Sequence, residues 1–216
     1  MRNILCYGDS NTWGVNTEDH FRRLDANQRW TGLLAKQLGD QYRVLEAGLP
    51  GRTTVFNDPF SPVSNGEQYL EVTLAMHVPI DLLILMLGTN DLKEMFNATP
   101  QDIAWGIERL ILKARSLRSF LQEGAFQILV VSPIHMIQPS DGLWRYGFTE
   151  NSVRKSEALA GALKEMTDQY GCAFMDASLY AHPSAVDGVH MVNEDHAALA
   201  AAFAKKIRGL LSQNND

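Results

Sequence analysis

The chain has 216 residues, 45% of them hydrophobic, and a formal net charge of −6. That length suits one domain, residues 1–216, with a sizeable core. The acidic balance and the absence of any basic run exclude a nucleic-acid surface, and no apolar run reaches the length of a membrane span. Cys6 and Cys172 read as core thiols rather than a disulfide, and Met1-Arg2-Asn3 leaves no room for a signal peptide. A cytoplasmic location is therefore expected.

Residues 4–7 are apolar and read as a first buried strand, broken at Gly8 and followed by the small polar group Asp9-Ser10-Asn11. The stretch 16–28 is polar, lacks period and reads as an exposed loop; connections that long are often functional. Leu33, Leu34 and Leu38 then share one face of a helix that begins near Trp30 and ends at Gly39. Residues 42–47 read as a second strand, closed by the glycine-punctuated turn from Gly48 to Thr54. After a proline-bearing loop at 57–65, a helix is expected over 66–77. Residues 81–87 are almost wholly apolar, as in a central strand covered on both faces, and end in Gly88-Thr89-Asn90-Asp91.

Thr99-Pro100-Gln101-Asp102 opens the next helix with a cap, a proline in the first turn and an early acid. Ile103, Ile107, Leu110, Ile111, Ala114 and Leu117 repeat behind it at helical spacing, which marks a core face. A fourth strand covers 128–131, and 134–148 is a loop rich in Pro, Gly and aromatics. Thr149 caps a helix towards Tyr170, 173–175 form a fifth strand, and 176–188 are loop. Asn193 is expected to cap a last helix with Ala200, Phe203, Ala204, Ile207 and Leu211 inward. Strands and helices alternate throughout, which implies a parallel sheet with helices on both faces.

In such sheets ligands bind beyond the carboxyl ends of the strands. Ser10 stands there after the first strand, Gly51 after the second, Asn90 after the third, and Asp187 with His190 after the fifth. Ser10 is a candidate nucleophile and His190 a candidate base, because neutral imidazole both takes and returns a proton near working pH. Asp187, three residues earlier, can reach the far ring nitrogen. The Asn90 amide and the backbone N–H groups of Ser10 and Gly51 are candidate oxyanion donors. Asp9 and Asp91 read as structural acids bound to nearby backbone N–H groups. Each segment alone reads equally as structure: Gly8-Asp9-Ser10 as a turn with a helix cap, 187–190 as a solvated turn.

Taken together, Gly8-Asp9-Ser10, Gly51, Gly88-Thr89-Asn90-Asp91 and Asp187-Gly188-Val189-His190 resemble, in order, the four blocks of the SGNH hydrolases, also called the GDSL esterase and lipase family. The resemblance implies an α/β, flavodoxin-like three-layer sandwich built on a five-stranded parallel sheet, and a serine esterase with no metal and no cofactor. It carries the nucleophile to Ser10, the acid to Asp187, the base to His190 and the oxyanion hole to Ser10, Gly51 and Asn90. Thr12-Trp13-Gly14, Arg29-Trp30-Thr31-Gly32 and Arg52-Thr53-Thr54 look most like the arylesterase and acyltransferase branch. That branch takes small-molecule, short-acyl esters, in some members transfers the acyl group to alcohols or peroxide, and often forms homo-oligomers. Asn11 stands where the wider family usually has an apolar residue, and Glu46 where its second block often has Asn.

Trp13, Phe56, Leu92 and Ile134 are the candidate substrate contacts, part of an apolar rim with Met95, Phe96, Met136, Trp144 and Phe148. His182 is the rival base, His135 is placed to line the pocket, and His20 and His196 read as exposed. The competing function is a non-catalytic carbohydrate- or ester-binding module on the same fold.

Overall fold

The computed structural model describes residues 1–212. Five strands run in the order of the chain: β1 Arg2–Gly8, β2 Tyr42–Gly48, β3 Leu82–Met86, β4 Gln127–Ser132 and β5 Ala173–Asp176. They pair in parallel in the spatial order β2-β1-β3-β4-β5, with Ile4 opposite both Val44 and Leu82. That order reverses between β1 and β3, which is where a doubly wound sheet opens a crevice at its carboxyl edge. All five residues of β3 are buried, because this central strand is covered on both faces.

The helices are α1 Ser10–Trp13, α2 Trp30–Leu38, α3 Gly66–His77, α4 Pro100–Leu121, α5 Glu150–Gln169 and α6 Asp195–Ser212. The pleat sends alternate strand residues to opposite sides, so two cores form. Leu5, Tyr7, Leu83, Leu85 and Val130 meet α3, α4 and α5. Ile4, Cys6, Leu82, Ile84 and Leu129 meet α2 and α6. In the second core Trp30 stacks on Phe203 with ring centroids 4.4 Å apart. A buried ring of that kind contributes about 3–5 kcal/mol against alanine.

The caps follow the local sequence. Thr99 and Asp102 form a reciprocal capping box on α4, and Thr149 with Ser152 does the same on α5. The last helix differs from expectation: it begins at Asp195, two residues after Asn193. The Asn193 amide is instead donated to Asn16 Oδ1 at 2.9 Å, tying this loop to the long polar stretch.

His196 also departs from its expected place in solvent and is 1% exposed. It sits one turn before Ala200 on the inward stripe of α6, and its Nδ1 accepts the Trp30 backbone N–H at 3.0 Å. Burial, opposed by the nearby Asp195 charge, holds the imidazole down at about 4 from 6.5. The unfolded chain therefore takes up this proton first as pH falls, so the contribution is present above pH 6.5 and is lost on the way to pH 4. Asp9 and Asp91, both raised to about 6 by burial, act in the opposite sense over the same range. Comparison with His196→Gln isolates the histidine. Its stability deficit, measured by urea unfolding, is expected to shrink by roughly 3 kcal/mol between pH 7 and pH 4. A constant deficit would show that His196 is not held neutral.

Candidate active site

Asp9 caps α1: its Oδ1 accepts the Asn11 N–H at 2.9 Å, which places Ser10 at the first position of the helix. The reading of this segment as a turn with a helix cap holds, and the cap presents Ser10 at the sheet edge. From the other end of the chain, His190 brings Nε2 to 2.9 Å from Ser10 Oγ. Its Nδ1 lies 2.5 Å from Asp187 Oδ2.

The protonation states follow from the surroundings. Asp187 is 1% exposed, and burial pushes its carboxyl upward. The hydrogen bond from His190, with the N–H groups of Val189 and His190 on Oδ1 at 3.0 Å, outweighs that and holds it below its ordinary value. An ionised carboxylate only accepts, so Nδ1 carries the proton and Nε2 is free to accept from the hydroxyl. An imidazole in this tautomer can take a hydroxyl proton as the oxygen attacks.

Asn11 ties the two ends of the chain together on both sides of His190. Its Oδ1 accepts the Met191 N–H at 2.9 Å and its amide is donated to Val189 O at 3.4 Å. Gly188 permits the sharp approach that this requires: its φ is +74°, and a Cβ there would lie 2.0 Å from Ile137 O.

The second and third strand ends are joined by buried polar groups. The Arg52 guanidinium lies 4.0 Å from the Tyr7 ring centroid and donates to Gly8 O at 2.8 Å and to Ala47 O. Asn90 Nδ2 donates one of its two N–H groups to Arg52 O at 3.1 Å. Asp91 accepts the Thr54 N–H at 2.9 Å and the Thr54 hydroxyl, so both aspartates bind neighbouring N–H groups as expected. Burial is the main reason both stand near 6.

Ser10, Gly51, Asn90 and His190 line one cleft of about 360 Å³, with Trp13 on its wall. Phe148, from the expected rim, also lines it. Three expected substrate contacts lie elsewhere. Leu92 is 1% exposed and belongs to the core beneath α4, because the tight turn Asn90–Leu92 rotates it inward. Phe56 packs on that core with its ring 5.3 Å from Phe96. Ile134 is 4% exposed and joins the opposite core with Met191. Met136 is also core, and Met95 is exposed. His135 is half-buried outside the cleft lining, and His182 is exposed with Nδ1 2.8 Å from Asp195 Oδ2.

The remaining wall was not foreseen: Val15, Phe21, Pro50, Lys93, Tyr146 and Val189. Lys93 Nζ is neutralised by Asp58 Oδ2 at 2.7 Å. Phe21 and Tyr146 come from the two long connections at 16–28 and 134–148, whose length was the available signal. Glu46, one of the family departures, anchors the first of these. It receives Arg29 at 2.6 Å through both oxygens, Arg23 at 3.2 Å, and the Thr31 hydroxyl.

A sheet of this topology, with such a hydroxyl, imidazole and carboxylate above its carboxyl edge, is suited to acyl chemistry on esters. The chain belongs to the GDSL-like lipase/acylhydrolase family, whose profile matches residues 6–203. It is a carboxylic ester hydrolase of the SGNH type. Among solved structures, the native aryl esterase of M. smegmatis is 37% identical, with TM-score 0.91 over 97% of this chain and 100% of that one. Est24, a carbohydrate acetylesterase from Sinorhizobium meliloti, is 36% identical, with TM-score 0.91 over 97% of this chain and 100% of its own. A search of curated proteins found no match. Among the described residues no helix is long and apolar enough to cross a membrane.

Proposed function

We propose that the chain is a serine esterase that hydrolyses short-chain acetyl and aryl esters through an acyl-enzyme on Ser10. His190 takes the hydroxyl proton and later returns it to the leaving alcohol, and Asp187 fixes the imidazole tautomer. The Ser10 and Gly51 N–H groups with the Asn90 amide receive the oxyanion. Ser10 starts a helix and so has no acceptor within it, and Gly51 holds a φ of +81° that favours glycine. The observation that carries this reading is the continuous chain Ser10 Oγ–His190 Nε2 at 2.9 Å and His190 Nδ1–Asp187 Oδ2 at 2.5 Å.

The largely apolar cleft supports a second part of the proposal, transfer of the acyl group to an alcohol in place of water. A cytoplasmic setting is included on the ground that Cys6 and Cys172 are both free thiols. So is a homo-oligomer, on the ground that Phe60 and Trp105 are 88% and 55% exposed; sedimentation as a monomer would remove that part.

A p-nitrophenyl alkylphosphonate tests the whole. One equivalent of nitrophenol released, with the phosphonyl group found on Ser10 by peptide mass, is the expected result. Label on another residue, or ligand binding with no ester turnover, would favour the non-catalytic module instead. With an added alcohol, ester product should form beside free acid; free acid alone would dismiss the transferase part.

A further inference from the structure

Asn11, next to Ser10, is 5% exposed and does not line the cleft. Its backbone is held on both sides. The Asn11 N–H donates to Asp9 Oδ1 at 2.9 Å, and the Asn11 carbonyl accepts the Trp30 Nε1–H at 3.1 Å. Trp30 is in turn fixed by its stack on Phe203 of α6. The side chain thus starts from a firm base, and its two ends meet the two peptide groups that flank His190. Oδ1 accepts the Met191 N–H at 2.9 Å, from the peptide after the imidazole. Nδ2 donates to Val189 O at 3.4 Å, from the peptide before it. An N–H on one side and a C=O on the other is what a strand offers to a neighbouring peptide, and an amide matches it with separate atoms.

The other bonds of the histidine loop show what these two decide. Asp187 Oδ1 accepts the Val189 and His190 N–H groups at 3.0 Å. Ser184 N–H donates to His190 O at 2.6 Å, and Gly188 N–H to Ser184 O at 2.8 Å. Ile137 N–H donates to Gly188 O at 3.0 Å, and Ser140 N–H to Ala185 O at 2.8 Å. These bonds hold His190 against Asp187 and tie the loop to the 134–148 connection, but none reaches α1. Among the described residues, the hydrogen bonds between α1 and the segment 187–192 are the two of Asn11 and the Ser10–His190 contact itself. Met191 also shares a core with Trp30, but apolar contact is non-directional and does not fix an alignment.

We infer that Asn11 is a positioning residue for proton transfer: it sets the histidine loop against α1 and so holds His190 Nε2 at 2.9 Å from Ser10 Oγ. This rests on the serine-esterase reading above. Asn11 acts through His190. It keeps the Nε2 lone pair on the hydroxyl as Ser10 attacks, and the ring in place as the imidazolium gives that proton to the leaving alcohol. A misplacement of about 1 Å between such groups costs about 100-fold in rate. An apolar residue at this position, usual in the wider family, makes neither bond.

Asn11→Leu tests this, since it keeps the branched shape and removes both bonds. Asn11→Ala removes both with less bulk and takes its place if the leucine variant does not fold. Each is made in the parent and in His190→Ala, and turnover of p-nitrophenyl acetate is measured above the buffer rate. In the parent, kcat is expected to fall about thirtyfold with KM within about twofold. In His190→Ala the same change is expected to cost less than about threefold, because no imidazole remains to be aligned. An equal loss in the two backgrounds would overturn the inference, by placing the effect on Ser10, the oxyanion donors or the fold. So would a loss carried by KM, or a loss in the parent below about threefold. Each of these outcomes leaves the esterase reading standing. A parent enzyme without turnover would overturn that reading and the positioning role with it.

Discussion

Ser10→Ala is expected to lower kcat for p-nitrophenyl acetate about a million-fold and to leave the melting temperature within a degree or two. The hydroxyl is 2.9 Å from His190 Nε2 and takes no part in holding α1, whose cap is the Asp9 carboxylate. The backbone N–H of residue 10 survives the change, so the remaining rate reflects oxyanion binding without covalent chemistry. A variant that keeps more than about a hundredth of the rate would remove Ser10 from the mechanism.

Asp187→Asn is expected to cost about 10⁴-fold in kcat with little change in KM. Oδ1 accepts two backbone N–H groups, from Val189 and His190, so in the variant the amide oxygen stays at that position. The amide nitrogen is then forced into the place of Oδ2, 2.5 Å from His190 Nδ1 in the parent. Facing an N–H donor, Nδ1 becomes the acceptor and the ring proton moves to Nε2, where it blocks transfer from Ser10. Because the two backbone bonds persist, the loop and the fold persist. A drop below tenfold, at unchanged structure, would mean that tautomer control is not the role of this residue.

Much of this was legible in the residues themselves. The apolar block before Gly88 and the Thr99-Pro100-Gln101-Asp102 cap encode a central strand and a helix start through burial and backbone hydrogen bonding, which are local. The placement of Ser10, Asn90 and His190 followed because a parallel sheet puts all of its strand ends on one edge. Strand-end position does not set side-chain direction, however. Leu92 and Ile134 turn into the two cores, and no period in their segments reports the turn. Phe21 and Tyr146 escaped for a related reason: they lie in aperiodic connections and depend on left-handed backbone that no simple pattern encodes. His196 was readable, since it shares the stripe of Ala200 and Phe203, but its polarity argued for solvent. Asn11, noted only as a family departure, has a cross-chain role that depends on where Val189 and Met191 arrive.

The contact between Ser10 and His190 joins residues 180 positions apart. During synthesis the amino-terminal strand leaves the ribosome long before the segment that completes the machinery. On the proposed mechanism, a nascent chain can bury β1 and bind its neighbours yet stays silent until the segment bearing His190 has docked, so no half-built hydrolase works on whatever ester is at hand.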